Sequence, residues 1–490
     1  MIPDSAGHLA KIDAVIQAGP FTDTWASLAG HGIPAWYQQA KFGIFIHWGV
    51  YSVPAFGSEW YPRNMYVEGS KEYLHHLATY GPHKTFGYAD FIPMFTGERF
   101  DAGQWADLFA EAGARYVMPV AEHHDGFQMY DSALSDWNAA KMGPCRDVVG
   151  EIKAAVEKRG MVFCASSHRA ENYWFFNGCR TFDSGLQDIR FQEPYGYASP
   201  DIQRELTQDI HSAGPSQEHL AEWLIRTCEI VDKYQPKVVW FDWWVQNMAF
   251  KPWLRRFAAY YYNRAEQWGE QVAINYKFDA FAYQSAVFDI ERGQLSGIRP
   301  LLWQNDTAVA KNSWGYTKNN DFKNPVDLVC DLIDIVSKNG CLLLNVGPKS
   351  DGTITAEDQD VLRKIGRWLK VNGESIYGTT FWNTFGEGST EVPEGAFTDV
   401  GRAKFTSEDI RFTYKAPCLY ANVLSWPADN RIRIFSLKKN SRHFLGHIES
   451  VEILGFAGPV HFEQTGEALE IKVDGEIRTQ YPVCLKIRLD

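Results

Sequence analysis

The feature that most constrains the fold is an alternation. Short, almost uniformly apolar runs recur along the first three-quarters of the 490-residue chain, with helical stretches between many of them. The runs are FGIFIHW (42–48), YVMPVAE (116–122), VFCASS (162–167), VVWFDW (238–243), VAINYK (272–277), LLWQ (301–304) and CLLLNV (341–346). A strand with one face in water alternates apolar and polar residues. A strand covered on both faces does not, and parallel strands between helices are of that kind. The helical stretches carry their own signals. Residues 101–114 place Trp105, Leu108, Phe109 and Ala112 on one face, and 146–159 stops at Gly160. Residues 217–234 stop before Pro236, while 324–338 and 356–372 run into Gly340 and Gly373. Alternating strand and helix predict a (β/α) barrel or a doubly wound sheet. No dinucleotide glycine fingerprint follows the first run, which favours the barrel.

After residue 380 the texture changes. Helical periodicity fades, and short β-rich runs at 410–414, 419–424, 432–437, 451–453, 469–473 and 483–489 are set apart by turn residues. The expectation is an irregular (β/α) TIM-like barrel over 1–380 and an antiparallel β-sandwich over 381–490. A content of 45% hydrophobic and 22% charged residues excludes a disordered chain. A net charge of −12 disfavours both a nucleic acid partner and an anionic lipid surface. No apolar run approaches the roughly 18 residues of a spanning helix. The first residues, MIPDSAGHLAKIDAV, lack the basic and apolar regions of a leader. A cytoplasmic protein is expected, or a secreted or periplasmic one if a leader was removed. The eight Cys are scattered without a CxxC, so reduced buried thiols are expected rather than a disulfide framework or a zinc site.

Aromatics make up 15% of the chain. Flat apolar faces with a polar edge suit sugar rings, though a large core uses the same residues. In a barrel the chemistry gathers at the C-terminal ends of the strands. Those ends supply His47, with Glu59 and Trp60 beyond, and then Glu122, His123, His124 and Asp125. His168 and Arg169, Asp242 with Trp240, and Lys277 follow. Asp289, Glu291 and Trp314 lie further along. Phe45 and His47 share a strand face, as do Trp240 and Asp242. Asp242, among Trp240, Phe241, Trp243 and Trp244, is costly to leave unpaired; it either serves function, caps a helix or pairs with Lys277. The tandem His123 and His124 invite a metal reading. Adjacent residues on a strand end point oppositely, so neutral imidazoles donating to and accepting from sugar hydroxyls fit better, and no metal is expected.

The segments KFGIFIHWGVYSVPAFGSEWY (41–61), AEHHDGFQMYDSALSDWN (121–138), VVWFDWW (238–244), SWGY (313–316), VSKNGCLLLNVGPKSDGTI (336–354) and WLKVNGESIYGT (368–379) together resemble the α-L-fucosidases of glycoside hydrolase family 29. Order and spacing agree over about residues 35–380, and a C-terminal sandwich is usual in that family. The resemblance implies that Asp242 is the nucleophile and that Glu291, in the less shared stretch FDIERG, is the acid/base. It implies that His47, Glu59, Trp60, His123 and His124 hold sugar hydroxyls, and that Phe45, Trp240 and Trp314 surround the fucose methyl group. Lys277, expected to contact the substrate as well, stands where members often carry Arg, and His168-Arg169 where a Tyr often closes the pocket. Asn339, Gly340, Gly347 and Gly352 read as turn and cap residues.

The chemistry of retention agrees with two carboxyls, one ionised and one protonated, on either side of the anomeric carbon. The expectation is an exo-acting, retaining α-L-fucosidase without a cofactor, acting on fucosylated oligosaccharides or glycoconjugates. Homo-oligomerisation stays open. Three other readings compete: an inactive fucose-binding homologue, a metal-dependent hydrolase using His123, His124 and Asp242, and a structural protein with a decayed site. Glu59 is the rival acid/base. Asp289 is a third candidate, expected to point away from Glu291. Glu291 itself is placed on a loop after the fifth strand.

Overall fold

The apolar runs become staves of one closed sheet. In this computed structural model, which describes residues 2–200, 214–401, 403–475 and 477–490, nine strand segments pair in parallel. They are β1 (Phe42–Ile46), β2 (Tyr116–Glu122), β3 (Val162–Phe163), β4 (Ala165–Ser167), β5 (Val238–Phe241), β6 (Ala273–Tyr276), β7 (Val287–Glu291), β8 (Trp303–Ala308) and β9 (Gly340–Val346). The order is β1-β9-β8-β7-β6-β5-β4-β2-β3, and β1 also pairs with β2, which closes the barrel. β3 and β4 both pair with β2 and form one stave broken at Cys164, so nine segments make eight staves.

Strand alternation sorts the core into two shells. On β1, Ile44 and Ile46 point outward to the helices while Phe45 points into the barrel. On β9, Leu342, Leu344 and Val346 pack outward, and Cys341 and Leu343 inward. Both faces are apolar, hence the continuous runs. The Tyr37 hydroxyl stands among polar groups inside the lower barrel, donating to Gln304 Oε1 at 2.6 Å and lying 3.1 Å from Asn275 Oδ1.

One stave was not anticipated. β7 reads VFDIE, with Asp289 and Glu291 projecting on one face. This alternation hid it among loops. Glu291 is therefore the last residue of a barrel strand, not part of a loop after the fifth strand. Asp289, two residues before it, shares its face and does not point away. The correction follows from the period of two: an odd offset would separate them, an even one cannot.

From Thr380 the chain is antiparallel. β10 (Thr380–Glu387), β11 (Ile410–Lys415), β12 (Cys418–Val423), β13 (Arg431–Ile434), β14 (Ile448–Ile453), β15 (Val460–Gln464), β16 (Leu469–Val473) and β17 (Val483–Leu489) form two sheets, β10-β11-β12-β17-β14 and β13-β16-β15. Phe412, Leu419, Ile434, Ile471 and Leu485 are among the residues buried in the core of these sheets. The sandwich is tied to the barrel through the helix Pro325–Ser337. There the buried carboxylate of Asp334 receives Lys338 at 2.6 Å and the Arg411 guanidinium of β11. Trp368 of the helix Ala356–Asn372 donates its indole N–H to the carbonyl of Pro482 at 2.8 Å. Seven of the eight cysteines are buried, and Cys145 is exposed.

Candidate active site

The strand ends open into a cavity of about 430 Å³, within the usual size of a small-ligand pocket. Asp242 follows β5 and shares the inward face of Trp240. Its Oδ2 accepts from His168 Nδ1 at 2.9 Å and lies 3.2 Å from His124 Nε2. Its Oδ1 accepts the Trp243 backbone N–H at 2.8 Å. Burial alone would raise the pKa of this carboxyl, but the two imidazole hydrogen bonds hold it well below the usual carboxylate range. The turn that presents it is strained: Trp244, buried, adopts φ 82, a left-handed backbone that a bulky residue rarely accepts.

Of the three central imidazoles, His123 and His168 are neutral and His124 is charged, against the expectation that both tandem histidines are neutral. His124 Nδ1 donates to the carbonyl of His168 at 3.0 Å and lies 3.3 Å from Glu171, while Nε2 faces Asp242. Against the opposing effect of burial, the charges of Glu171 and Asp242 push its pKa up to about 9. His124 is thus an imidazolium donating from both nitrogens. His168 is pushed down by burial despite its bond to Asp242. A neutral ring with the proton on Nδ1 leaves Nε2 to accept from Ser166 Oγ at 3.0 Å. His123, buried and flanked by His124, is held well below its usual pKa, and its Nδ1 has no protein partner.

Both tandem histidines line the cavity, contrary to the alternation argument. β2 ends at Glu122, and a turn closed by Gly126 N–H donating to the carbonyl of His123 at 3.1 Å replaces the strand geometry. Among the described residues, His47, His123 and His168 form one potential metal-ligand group, and His124, His168 and Asp242 another. His168 belongs to both. Its two nitrogens are already engaged by Asp242 and Ser166, and the group proposed from sequence, His123 with His124 and Asp242, is neither of these.

Glu291 lines the same cavity. Burial, together with the charges of Asp306 and Asp242 and against the pull of Lys277, raises its pKa to about 7. Lys277, at the end of β6, sits beneath it. Its Nζ lies 2.8 and 3.0 Å from the Asp306 oxygens, 2.9 Å from Asp289 and 3.5 Å from Glu291. The same ammonium stands over the Trp240 ring, 4.9 Å from its centroid. Asp242 therefore does not pair with Lys277.

Glu59 has a structural task as well as a place on the wall. Its Oε2 accepts from Ser313 Oγ at 3.0 Å and from the Trp314 N–H at 2.8 Å. The Trp314 carbonyl accepts from Asn345 Nδ2 at 2.7 Å, and Asn345 Oδ1 lies 2.7 Å from His47 Nδ1. Trp314 is clamped from both sides, and His47 is oriented by the same amide. A Cβ on Gly347 would meet the backbone of Gly315 and Tyr316 at 2.7 Å, so this glycine permits close approach of the Trp314 loop rather than capping a helix. Trp60 and Trp240 also line the cavity. Phe45 is fully buried one layer below, in contact with Trp240 at 5.1 Å between ring centroids.

Glu171, Asp306 and Arg292, the last lining the cavity with its guanidinium 4.6 Å from the Trp314 ring centroid, were not among the expected site residues. Asp306 was detectable, because it follows Gln304 at strand period beyond the run LLWQ. His168 was noted among the strand ends, yet its bond to Asp242 carries no sequence signature.

An ionised carboxylate and a protonated one facing a single sugar-sized cavity at a barrel mouth are the working parts of a glycoside hydrolase. Comparison with known proteins narrows the class. Residues 8–374 match the α-L-fucosidase family and residues 403–488 the α-L-fucosidase C-terminal domain. Human plasma α-L-fucosidase is 32% identical, covering 93% of this chain and 89% of its own, and rat tissue α-L-fucosidase is 31% identical, covering 94% and 90%. The crystal structure of Thermotoga maritima α-fucosidase superposes with a TM-score of 0.75 at 30% identity, over 95% of this chain and all of that one. The chain belongs to the α-L-fucosidase family.

Proposed function

We propose that this protein is an exo-acting, retaining α-L-fucosidase that removes terminal α-L-fucose by double displacement. One observation carries the reading: Asp242 is held ionised by His124 and His168 in the cavity where Glu291 keeps its proton up to pH about 7. Asp242 attacks the anomeric carbon as the glycosidic C–O bond breaks, and Glu291 passes its proton to the departing oxygen. With Oδ2 tied to two imidazoles, Oδ1 is the attacking atom. The ionised Glu291 then takes a proton from water, which attacks the same carbon and releases Asp242. Two inversions give retention.

His47, His123, Glu59 and Trp60 are assigned to the sugar hydroxyls, and His124, with both nitrogens engaged by the His168 carbonyl and Asp242, lines the seat and holds the nucleophile. The unpartnered Nδ1 of His123 suits that task. Trp240 and Trp314, with Phe45 beneath, give the C5 methyl an apolar seat where an added hydroxyl would be left unpaired. Because Phe45 and Trp240 close the floor, the sugar enters from the mouth only, which fits exo action on a chain end. Fucosylated oligosaccharides or glycoconjugates are the substrate class. Residues 1–380 serve as the catalytic unit and 381–490 as its bracing sandwich. Among the described residues no helix is long and apolar enough to cross a membrane.

The test is turnover of aryl glycosides with and without a strong chelator. An aryl α-L-fucoside should be hydrolysed, the α-L-galactoside that differs by one hydroxyl should be hydrolysed far more slowly, and the chelator should change neither. No turnover of the fucoside overturns the reading, and loss of turnover with chelator restores the metal alternative.

A further inference from the structure

The connection between β10 and β11 does not stay with the sandwich. Its residues 394–399 return to the barrel mouth and pair with the chain just beyond Glu291. The Phe397 N–H donates to the carbonyl of Glu291 at 2.9 Å, Thr398 N–H to that of Arg292 at 2.8 Å, and Gly395 N–H to that of Gln294 at 3.0 Å. Asp399 fixes the segment from below by accepting from Thr307 Oγ1 at 2.6 Å and by pairing with Lys323. The outcome is that Phe397 lines the cavity holding Asp242 and Glu291, although the residue is 66% exposed.

This placement is unfavourable twice over. Phe397 has φ 57, a left-handed conformation in which a bulky side chain is an outlier, and it offers a large apolar ring to water. Phe278, on the same cavity rim, repeats the combination with φ 55 and 46% exposure. Backbone strain of this kind gathers at ligand clamps, where the surrounding structure enforces it. Residues 394–399 also lie between the two stretches that match the family, 8–374 and 403–488.

We propose that Phe397, with Phe278, forms the seat for the leaving group: a platform on which the sugar ring attached to fucose stacks through its apolar C–H face. The inference rests on the fucosidase reading above. Phe397 follows the acid/base residue in space, so a group protonated by Glu291 departs past it. The ring is exposed because its partner is the second sugar. The sandwich region thereby contributes a specificity-determining side chain to the barrel's site.

The test compares a fucosylated disaccharide with α-L-fucosyl fluoride, whose leaving group has no ring. Phe397→Asn removes the ring and places a residue that tolerates a left-handed backbone. The ratio of kcat/KM for disaccharide over fluoride should fall about tenfold or more, through KM, the scale for one group in an apolar pocket. Phe397→Tyr should restore the ratio. Thermal unfolding of Phe397→Asn should occur at the same or a higher temperature, because strain is relieved. Equal losses on both substrates, or an unchanged ratio, overturns the inference while leaving the fucosidase reading intact. Failure of the unaltered protein to hydrolyse the fluoride counts against that reading instead.

Discussion

At the scale of single residues the account rests on unequal protonation. Asp242 sits in buried surroundings that would favour a neutral carboxyl, yet two imidazoles and a backbone N–H keep it charged. Asp242→Gly should lower hydrolysis by about 10⁴–10⁶, as for residues that act as a unit, with the fold intact. Azide should partly restore turnover of an activated fucoside and give an inverted fucosyl azide. Retention of more than a few per cent of normal activity would remove Asp242 from its role. Glu291 must be protonated to act, and its pKa is raised to about 7. As pH rises through that value the acid loses its proton, so kcat/KM for a disaccharide should fall on the alkaline side. Glu291→Gln should abolish that limb for a disaccharide and spare an activated aryl fucoside. Glu59→Ala should damage both substrates alike, because it removes the acceptor of Ser313 and of the Trp314 N–H and frees the Trp314 loop; the opposite pattern would exchange the two roles. The roles of Asp242 and Glu291 came from the resemblance, and the strand-end position made Asp242 a candidate on physical grounds alone. The imidazolium state of His124 was not legible, since it depends on Glu171, a residue 47 positions away that no motif connects to it.

At the scale of elements, three neighbouring strands share one buried cation. Lys277 from the end of β6 faces Asp289 and Glu291 of β7 and Asp306 of β8. Lys277→Met should strand these carboxylates without a counter-charge and cost about 3–5 kcal/mol in denaturant unfolding at neutral pH. The sign of the pH effect follows. Without the ammonium the folded-state pKa values of Glu291 and Asp306, already raised by burial, rise further above the unfolded ones, so the loss should shrink as pH falls and these two carboxyls take up protons. The alkaline limb of activity should move above about 7, because Lys277, ahead of Arg292, lowers Glu291. An unchanged stability would mean that the ammonium does not balance this cluster. The same strands show what sequence could and could not convey. Seven staves were readable as apolar runs because helices cover them outside and a packed core fills them inside. β7 was not, because its inward face carries the catalytic machinery: the polar residues that make it functional erased the pattern that would have marked it as a strand.

At the scale of the whole molecule the sandwich is a structural partner of the barrel. The Asp334 carboxylate is fully buried where the two meet, between Lys338 of the barrel side and Arg411 of β11. The Phe385 ring of β10 stands 4.9 Å from the Lys338 ammonium and 5.3 Å from the Arg411 guanidinium. The sequence announced the change of architecture at about residue 380 through its turn spacing. It gave no sign that the chain then returns to the mouth at Phe397, since a six-residue excursion has no periodicity to read. The central claim, a single covalent catalytic carboxylate per chain, is tested most directly by trapping. The protein is incubated with a 2-deoxy-2-fluoro-α-L-fucosyl fluoride, which forms the intermediate faster than it hydrolyses it, and the adduct is located by peptide mass spectrometry. One fluorofucosyl group per chain, on the peptide at Asp242, is the expected result. An adduct on another carboxylate, or turnover with inversion and no adduct, would contradict the account.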